Sequence, residues 1–240
     1  MNTIALAKNV EFIKGDKPNQ HVAVVEPLYP GYGVTLGNSL RRVLLSSLPG
    51  TAVIGVKITG ADHEFMALPN IKEDVLEIVL NLKNLILKIH TDEVVKLTLN
   101  IKGEKVVTAA DIDKNSDVEV VNTDLVIANI TDMAGNLEME IYATRGMGYE
   151  TIEARENRKK EIGYIDVDSI FSPVRSVGIH VENTRVGKMT NWDKLTLDIT
   201  TNGSIDAQEA FKQSVRILID QFNALIHAED SEPEVEVSEE

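Results

Sequence analysis

The chain has 240 residues, room for one large domain or two modest ones, and its 43% hydrophobic and 26% charged residues exclude a wholly disordered or collagen-like polymer. Lys and Arg number 24 against 38 Asp and Glu, a formal net charge of −14, so the chain by itself is a poor ligand for nucleic-acid phosphates. Cysteine is absent, which excludes disulfides, thiolate metal sites and cysteine nucleophiles, and no run approaches the ~20 apolar residues of a membrane span or the pattern of a secretory leader. A soluble, cytoplasmic protein without a membrane partner is expected.

In chain order, Val22 to Val25 reads as a strand, and Thr35 is placed to cap a helix over Leu36–Leu48 that Ser46-Ser47-Leu48-Pro49-Gly50 brings to an end. At ~100° per residue, Leu36, Leu40, Val43 and Leu44 form one apolar face, expected to be core. Asn38, Arg41, Arg42 and Leu45 project to other sides. They form either a solvated edge with one stray leucine or a docking patch in which guanidinium forks pair with carboxylates or carbonyls around an apolar anchor. Spacing alone leaves the two readings balanced. Ile54 to Ile58 is a strand and Ile71 to Leu82 a helix. Period-two alternation marks Leu85, Leu87, Ile89; Leu97, Leu99, Ile101; Leu137, Met139, Ile141, Ala143; and Leu195, Leu197, Ile199 as half-buried strands, with Val177 to Val181 another.

The last helix, Asp206 to Ile226, follows an Asn202-Gly203 turn, with Asp206 and Glu209 as cap and reciprocal partner. Phe211, Val215, Leu218, Phe222 and Leu225 recur at steps of four and three, a seam for lengthwise helix packing. For an isolated amphipathic helix, cover of the protein's own sheet outweighs an intermolecular contact by about two to one, although Ile219 and Ile226 widen the apolar surface. Few helices among many strands indicate an α+β fold with largely antiparallel sheets. Residues 229–240 carry seven acidic side chains and no basic one, the composition of a disordered tail or linker start.

Catalytic chemistry is hard to find. The five histidines, His21, His63, His90, His180 and His227, are dispersed and expected to be structural. Asp111-Ile112-Asp113 and Asp166-Val167-Asp168 each set two carboxylates on one side of an extended segment, the one pattern a metal-dependent enzyme could use; solvated turn residues are the commoner meaning. Arg145-Gly146-Met147-Gly148-Tyr149 lacks the third glycine of a dinucleotide loop and reads as a tight turn. Arg155, Arg158, Lys159 and Lys160 alternate with Glu153, Glu156 and Glu161, so they form no phosphate track.

The stretch GYGVTLGNSLRRVLLSSLPG from Gly31 to Gly50, preceded by Glu26-Pro27-Leu28, resembles the N-terminal domain of the bacterial RNA polymerase alpha subunit. The resemblance continues through His63-Glu64-Phe65, EDVLEIVLNLKNL (Glu73 to Leu85), VTAADI (Val107 to Ile112), RGMGY, Phe171-Ser172-Pro173-Val174, Val181-Glu182, Thr184-Arg185-Val186, Asp193-Lys194-Leu195 and TNGSIDAQEA (Thr201 to Ala210), covering about residues 20 to 227. It implies a dimerisation subdomain from both chain ends, 1–49 and 177–228, carrying a sheet and two long helices, with a mainly β subdomain inserted at 50–176. It further implies a homodimer with Leu36, Leu40, Val43, Phe211, Val215, Leu218, Phe222 and Leu225 at the interface. The dimer would be a non-catalytic assembly platform for the polymerase, docking the beta subunit through Arg42, Leu45, Arg41 and Asn38. The beta-prime subunit would contact Lys83, Ser172, Pro173 and Val174. No cofactor or metal is implied on this chain, and DNA is met only through the complex. Val34 departs from a usual histidine, residues 153–163 look shortened, and the DNA-binding domain that follows the linker in full-length relatives is missing from the sequence.

Overall fold

The computed structural model describes residues 4–155 and 163–227; residues 229–240 and most of 153–163, on which two of the expectations fall, lie outside these. Its strands are β1 (Asn9–Lys14), β2 (Gln20–Leu28), β3 (Pro49–Ile58), β4 (Leu87–Ile89), β5 (Val95–Lys102), β6 (Lys105–Thr108) and β7 (Val118–Val120). They continue with β8 (Val126–Ile130), β9 (Asn136–Met147), β10 (Tyr149–Glu150), β11 (Tyr164–Asp166), β12 (Ser169–Ile170), β13 (Val174–Val186) and β14 (Met189–Thr201). The helices are α1 (Tyr32–Ser46), α2 (Val75–Leu82) and α3 (Ala207–His227). The protein is α+β and mostly sheet, and its strand pairings are antiparallel.

Both ends of the chain meet in one sheet, ordered β1-β2-β14-β13. Its inward side alternates along β2 and β14: Ala23 and Val25 pair with Leu197 and Leu195, and α1 and α3 cover them with Leu40, Leu44 and Phe211. Four-residue spacing on the helices and two-residue spacing on the strands thus converge on one core. The middle of the chain supplies a second four-stranded sheet, β11-β3-β9-β5. Leu97, Leu99, Leu137, Met139 and Ile141 from this sheet pack with Val75, Ile78, Val79 and Leu82 of α2 in a separate core. Phe171 ties the region between: its ring lies over Gly146, and a Cβ on Gly50 would stand 1.8 Å from its carbonyl oxygen.

Several local expectations are corrected. The first helix starts at Tyr32, one turn before the anticipated cap, and the Thr35 hydroxyl turns back to donate to the Gly31 carbonyl inside the helix. Its buried face is Gly33, Gly37, Leu40 and Leu44; Leu36, expected in the core, is exposed, because the two glycines rather than two large side chains face the sheet. The second helix starts at Val75, not Ile71. Ile71 bridges to Ile130, the Glu73 carboxylate accepts from the Asn129 amide, and Asp74 becomes the cap by accepting from the Glu77 amide at 2.7 Å. Residues 109–111 are a short 3-10 turn, so Asp111 and Asp113 do not lie along an extended segment. RGMGY is not a tight turn: β9 runs on to Met147, and the single residue Gly148, at φ +66°, bends the chain into β10. Around α3, Asp206 accepts from the Gln208 amide as expected of a cap, whereas Glu209 receives the Gln213 side-chain amide.

Candidate protein-docking surface

An α-helix leaves its first amide groups without intrahelical acceptors. At α1 the preceding residue is Gly31, at φ +87° and without a side chain, so the acceptor comes from elsewhere. Asp193 of β14 turns one carboxylate oxygen onto the amides of Gly31 (3.0 Å) and Gly33 (2.9 Å). The helix then lies directly on the β13–β14 hairpin. A Cβ on Gly33 would meet Val181 Cγ1 at 2.8 Å, and one on Gly37 would meet Leu195 Cδ1 at 2.9 Å.

With that side against the sheet, Asn38, Arg41 and Arg42 are exposed together on the other, and neither guanidinium makes an ion pair with a described residue. Leu45 is half-buried at the end of this surface, packing against the core beneath. Val34 and Leu36 are exposed on the same helix. Tyr29, Tyr32 and Trp192 form an edge-on aromatic cluster at its start, with ring centroids 5.9 and 6.1 Å apart.

The second group of candidate residues is more dispersed in role. Lys83 ends α2, with its ammonium 3.6 Å from the Asp168 carboxylate. Asp168 also accepts from the Ile152 amide. The nearby Tyr149 hydroxyl is pushed above its ordinary value, by desolvation first and by the Asp168 carboxylate second. The Ser172 hydroxyl lies 3.0 Å from the Leu45 carbonyl, so this segment braces the end of α1 directly. Pro173 and Val174 are buried and offer little surface.

The closing helix divides in two. Through Ser214 its inner face is buried, and Phe211 meets Phe12 edge-on at 5.5 Å. Val215 and Leu218 are half-buried against the same core. Beyond them the helix leaves its own sheet: Ile219 is 51% exposed, Phe222 58%, Leu225 70% and Ile226 69%. Own-sheet cover accounts for only the first half of the seam. Conversely, Leu40 and Phe211 are already enclosed by their own protomer.

The Asp-x-Asp pairs do not assemble a metal centre. Asp111 accepts from the Lys105 ammonium and from the amide and hydroxyl of Thr108. Burial works against its ionisation, yet these donors hold the carboxyl below its usual range. Asp113 instead takes the Thr98 hydroxyl at 2.6 Å. Asp168 is engaged by Lys83 as above, and no group of three or more His, Cys, Asp or Glu suited to a metal occurs among the described residues. The metal-dependent enzyme reading therefore finds no support. Of the basic cluster, Arg155 is buried and structural: its guanidinium donates to the carbonyls of Ile54, Val167 and Glu150 and to the Ser169 hydroxyl. Arg158, Lys159 and Lys160 lie outside the described residues. Neither the cap by Asp193 nor the clamp by Arg155 carries a local sequence signal, because their partners are up to 162 and 101 residues away.

Exposed guanidiniums on α1 and an exposed apolar end on α3 are the features of a surface suited to binding another protein. The family described as the RNA polymerase Rpb3/RpoA insert domain matches residues 56–172. A DNA-directed RNA polymerase subunit alpha from Desulforamulus reducens is 48% identical over 229 residues, 95% of this chain and 72% of the relative. The subunits alpha of Oceanobacillus iheyensis (47% over 237 residues; 99% and 73%) and Carboxydothermus hydrogenoformans (50% over 214 residues; 89% and 68%) are similar to the same extent. The chain belongs to the DNA-directed RNA polymerase alpha-subunit family. No described helix is long and apolar enough to cross a membrane.

Proposed function

We propose that this chain homodimerises and that the dimer is the platform on which the beta and beta-prime subunits assemble into RNA polymerase. The observation that carries the reading is the second half of α3, where four large apolar side chains project from a helix whose first half buries its inner face. A patch of this kind marks an interface, and a two-fold axis would cover it with its own copy. Phe222 and Leu225 then lie in the interface, with Leu36 and the half-buried Val43, Val215 and Leu218 at its border; Leu40 and Phe211 support it from within.

The subdomain reading, 1–49 with 177–228 around an insertion at 50–176, is supported by the two separate cores and by the span of the insert-family match. Arg42, with Arg41, Asn38 and the edge of Leu45, receives the beta subunit. Lys83 and the Ser172-Pro173-Val174 segment, of which Pro173 and Val174 are buried, contribute to the beta-prime contact. The chain holds and does not react: nucleotidyl transfer belongs to the large subunits, no cofactor is held here, and DNA is reached through the cytoplasmic complex.

Co-expression with the cognate beta subunit tests this. Arg42→Ala should leave the dimer whole and strip away beta, since truncating a desolvated charge partner weakens binding by about 2–5 kcal/mol. Unchanged beta recovery refutes the docking assignment.

A further inference from the structure

The docking helix has an unusual seat. Large side chains interdigitating with a sheet fix a helix's rotation and axial position; in α1 only the second half of the buried face carries them, Leu40 and Leu44, while the first half meets β13 and β14 through Gly33 and Gly37. The glycine half allows close approach of the sheet and leaves the first turns of the helix with no large side chain of their own to interlock. The polar tether at its start is the Asp193 carboxylate, 7% exposed, shared between the amides of Gly31 and Gly33. Asp193 is held in turn by its strand, paired in register with Leu28 of β2 and Asn183 of β13. The other end of α1 is tied through the Leu45 carbonyl to Ser172.

We infer that Asp193 is a positioning residue for docking: by capping α1 from the opposite end of the chain it sets the rotation and register at which Arg41 and Arg42 are presented. The inference rests on the docking reading above. Arg42 lies nine residues beyond Gly33, about 14 Å along the axis. A helix transmits a change at its first turn over that distance as a rigid rod. Releasing the cap and rolling the helix by about 20° would displace its surface groups by about 2 Å, enough to misalign a two-pronged guanidinium contact. An asparagine at 193 would keep an acceptor oxygen in place and so keep the register; alanine would not.

The test is a set of beta-subunit affinities for the purified dimer carrying Asp193→Ala, Asp193→Asn, Arg42→Ala, or Asp193→Ala with Arg42→Ala. Dimer mass and helical signal are measured alongside. Asp193→Ala should weaken beta binding at least tenfold with the dimer intact, and Asp193→Asn should stay within threefold of the parent. In the Arg42→Ala background, Asp193→Ala should add clearly less than the tenfold loss it causes alone, because one of the two guanidiniums it orients is gone. If Asp193→Ala does not yield dimers, Asp193→Ser, whose shorter hydroxyl falls short of the helix amides, takes its place with the same expectations. Parent-like affinity for Asp193→Ala beside a damaged Arg42→Ala overturns the positioning role alone. A full tenfold loss persisting without Arg42 also overturns it, by showing a general structural effect. Parent-like affinity for Arg42→Ala overturns the docking reading and this inference with it.

Discussion

Phe222→Glu probes the interface where the expected effect is largest. Ile219, Phe222, Leu225 and Ile226 are each between half and about two-thirds exposed in the single chain. Full burial of such a side chain is worth about 1.5–3 kcal/mol, so covering what remains exposed is worth about 1–2 kcal/mol for each. Four of them on each protomer contribute roughly 8–16 kcal/mol gross across a two-fold axis, comparable to the entropy lost on association. Every substitution there counts twice. Deleting the Phe222 contact alone removes about 2–4 kcal/mol from the dimer, roughly a 30- to 1000-fold weakening, before the desolvation of two carboxylates is added. Sedimentation velocity across a micromolar dilution series should show Phe222→Glu as monomer where the parent is dimer, with Phe222→Leu remaining dimeric. A folded Phe222→Glu chain as dimeric as the parent would refute the reasoning. The substitution should leave the fold intact, since the side chain makes no part of the protomer's own core.

Three further outcomes follow from the packing. Gly50→Ala should lower stability by about 3 kcal/mol or more in urea titration, because the added methyl collides with the Phe171 backbone, whereas Gly178→Ala, whose nearest neighbour would be 3.4 Å away, should change it by less than about 0.5 kcal/mol. Arg155→Met should destabilise by about 2 kcal/mol or more: the Ile54 and Val167 carbonyls each lose one of two donors, the Ser169 hydroxyl loses its donor and Glu150 its ion-pair partner, with faster amide exchange around β12 as the local signature. Asp111→Asn addresses pH: the folded carboxyl titrates below its ordinary 3.8, so its contribution is present above that value and lost as pH falls through the lowered one. The variant should therefore be less stable than the parent at pH 7, by about 1 kcal/mol or less, and the two melting curves should converge as the pH falls below 4.

Much of the scaffold was legible in the residues. Leu97-Leu99-Ile101 and Leu195-Leu197-Ile199 alternate because one face of each strand is buried, and the expected strands are found there. The outward direction of Asn38, Arg41 and Arg42 was also readable, since 100° per residue separates them from Leu40 and Leu44 whatever lies beneath. Helix starts carry less local signal: Thr35 and Ile71 have the residue types of boundaries, but the acceptor on Asp193 and the Ile71–Ile130 bridge set the true ones.

Local order alone thus determined which segments are strands and helices, and which side of α1 bears charge, because periodicity records burial over ten or so neighbouring residues. Tertiary structure decided that Leu36 stays outside while Gly33 and Gly37 go in, that Pro173 and Val174 are covered, and that α3 leaves its sheet after Leu218. Each of these depends on where a distant surface ends or a distant carboxylate points. A pattern along the chain reports that an apolar face needs cover, and only the folded arrangement shows how much of that face the molecule covers by itself.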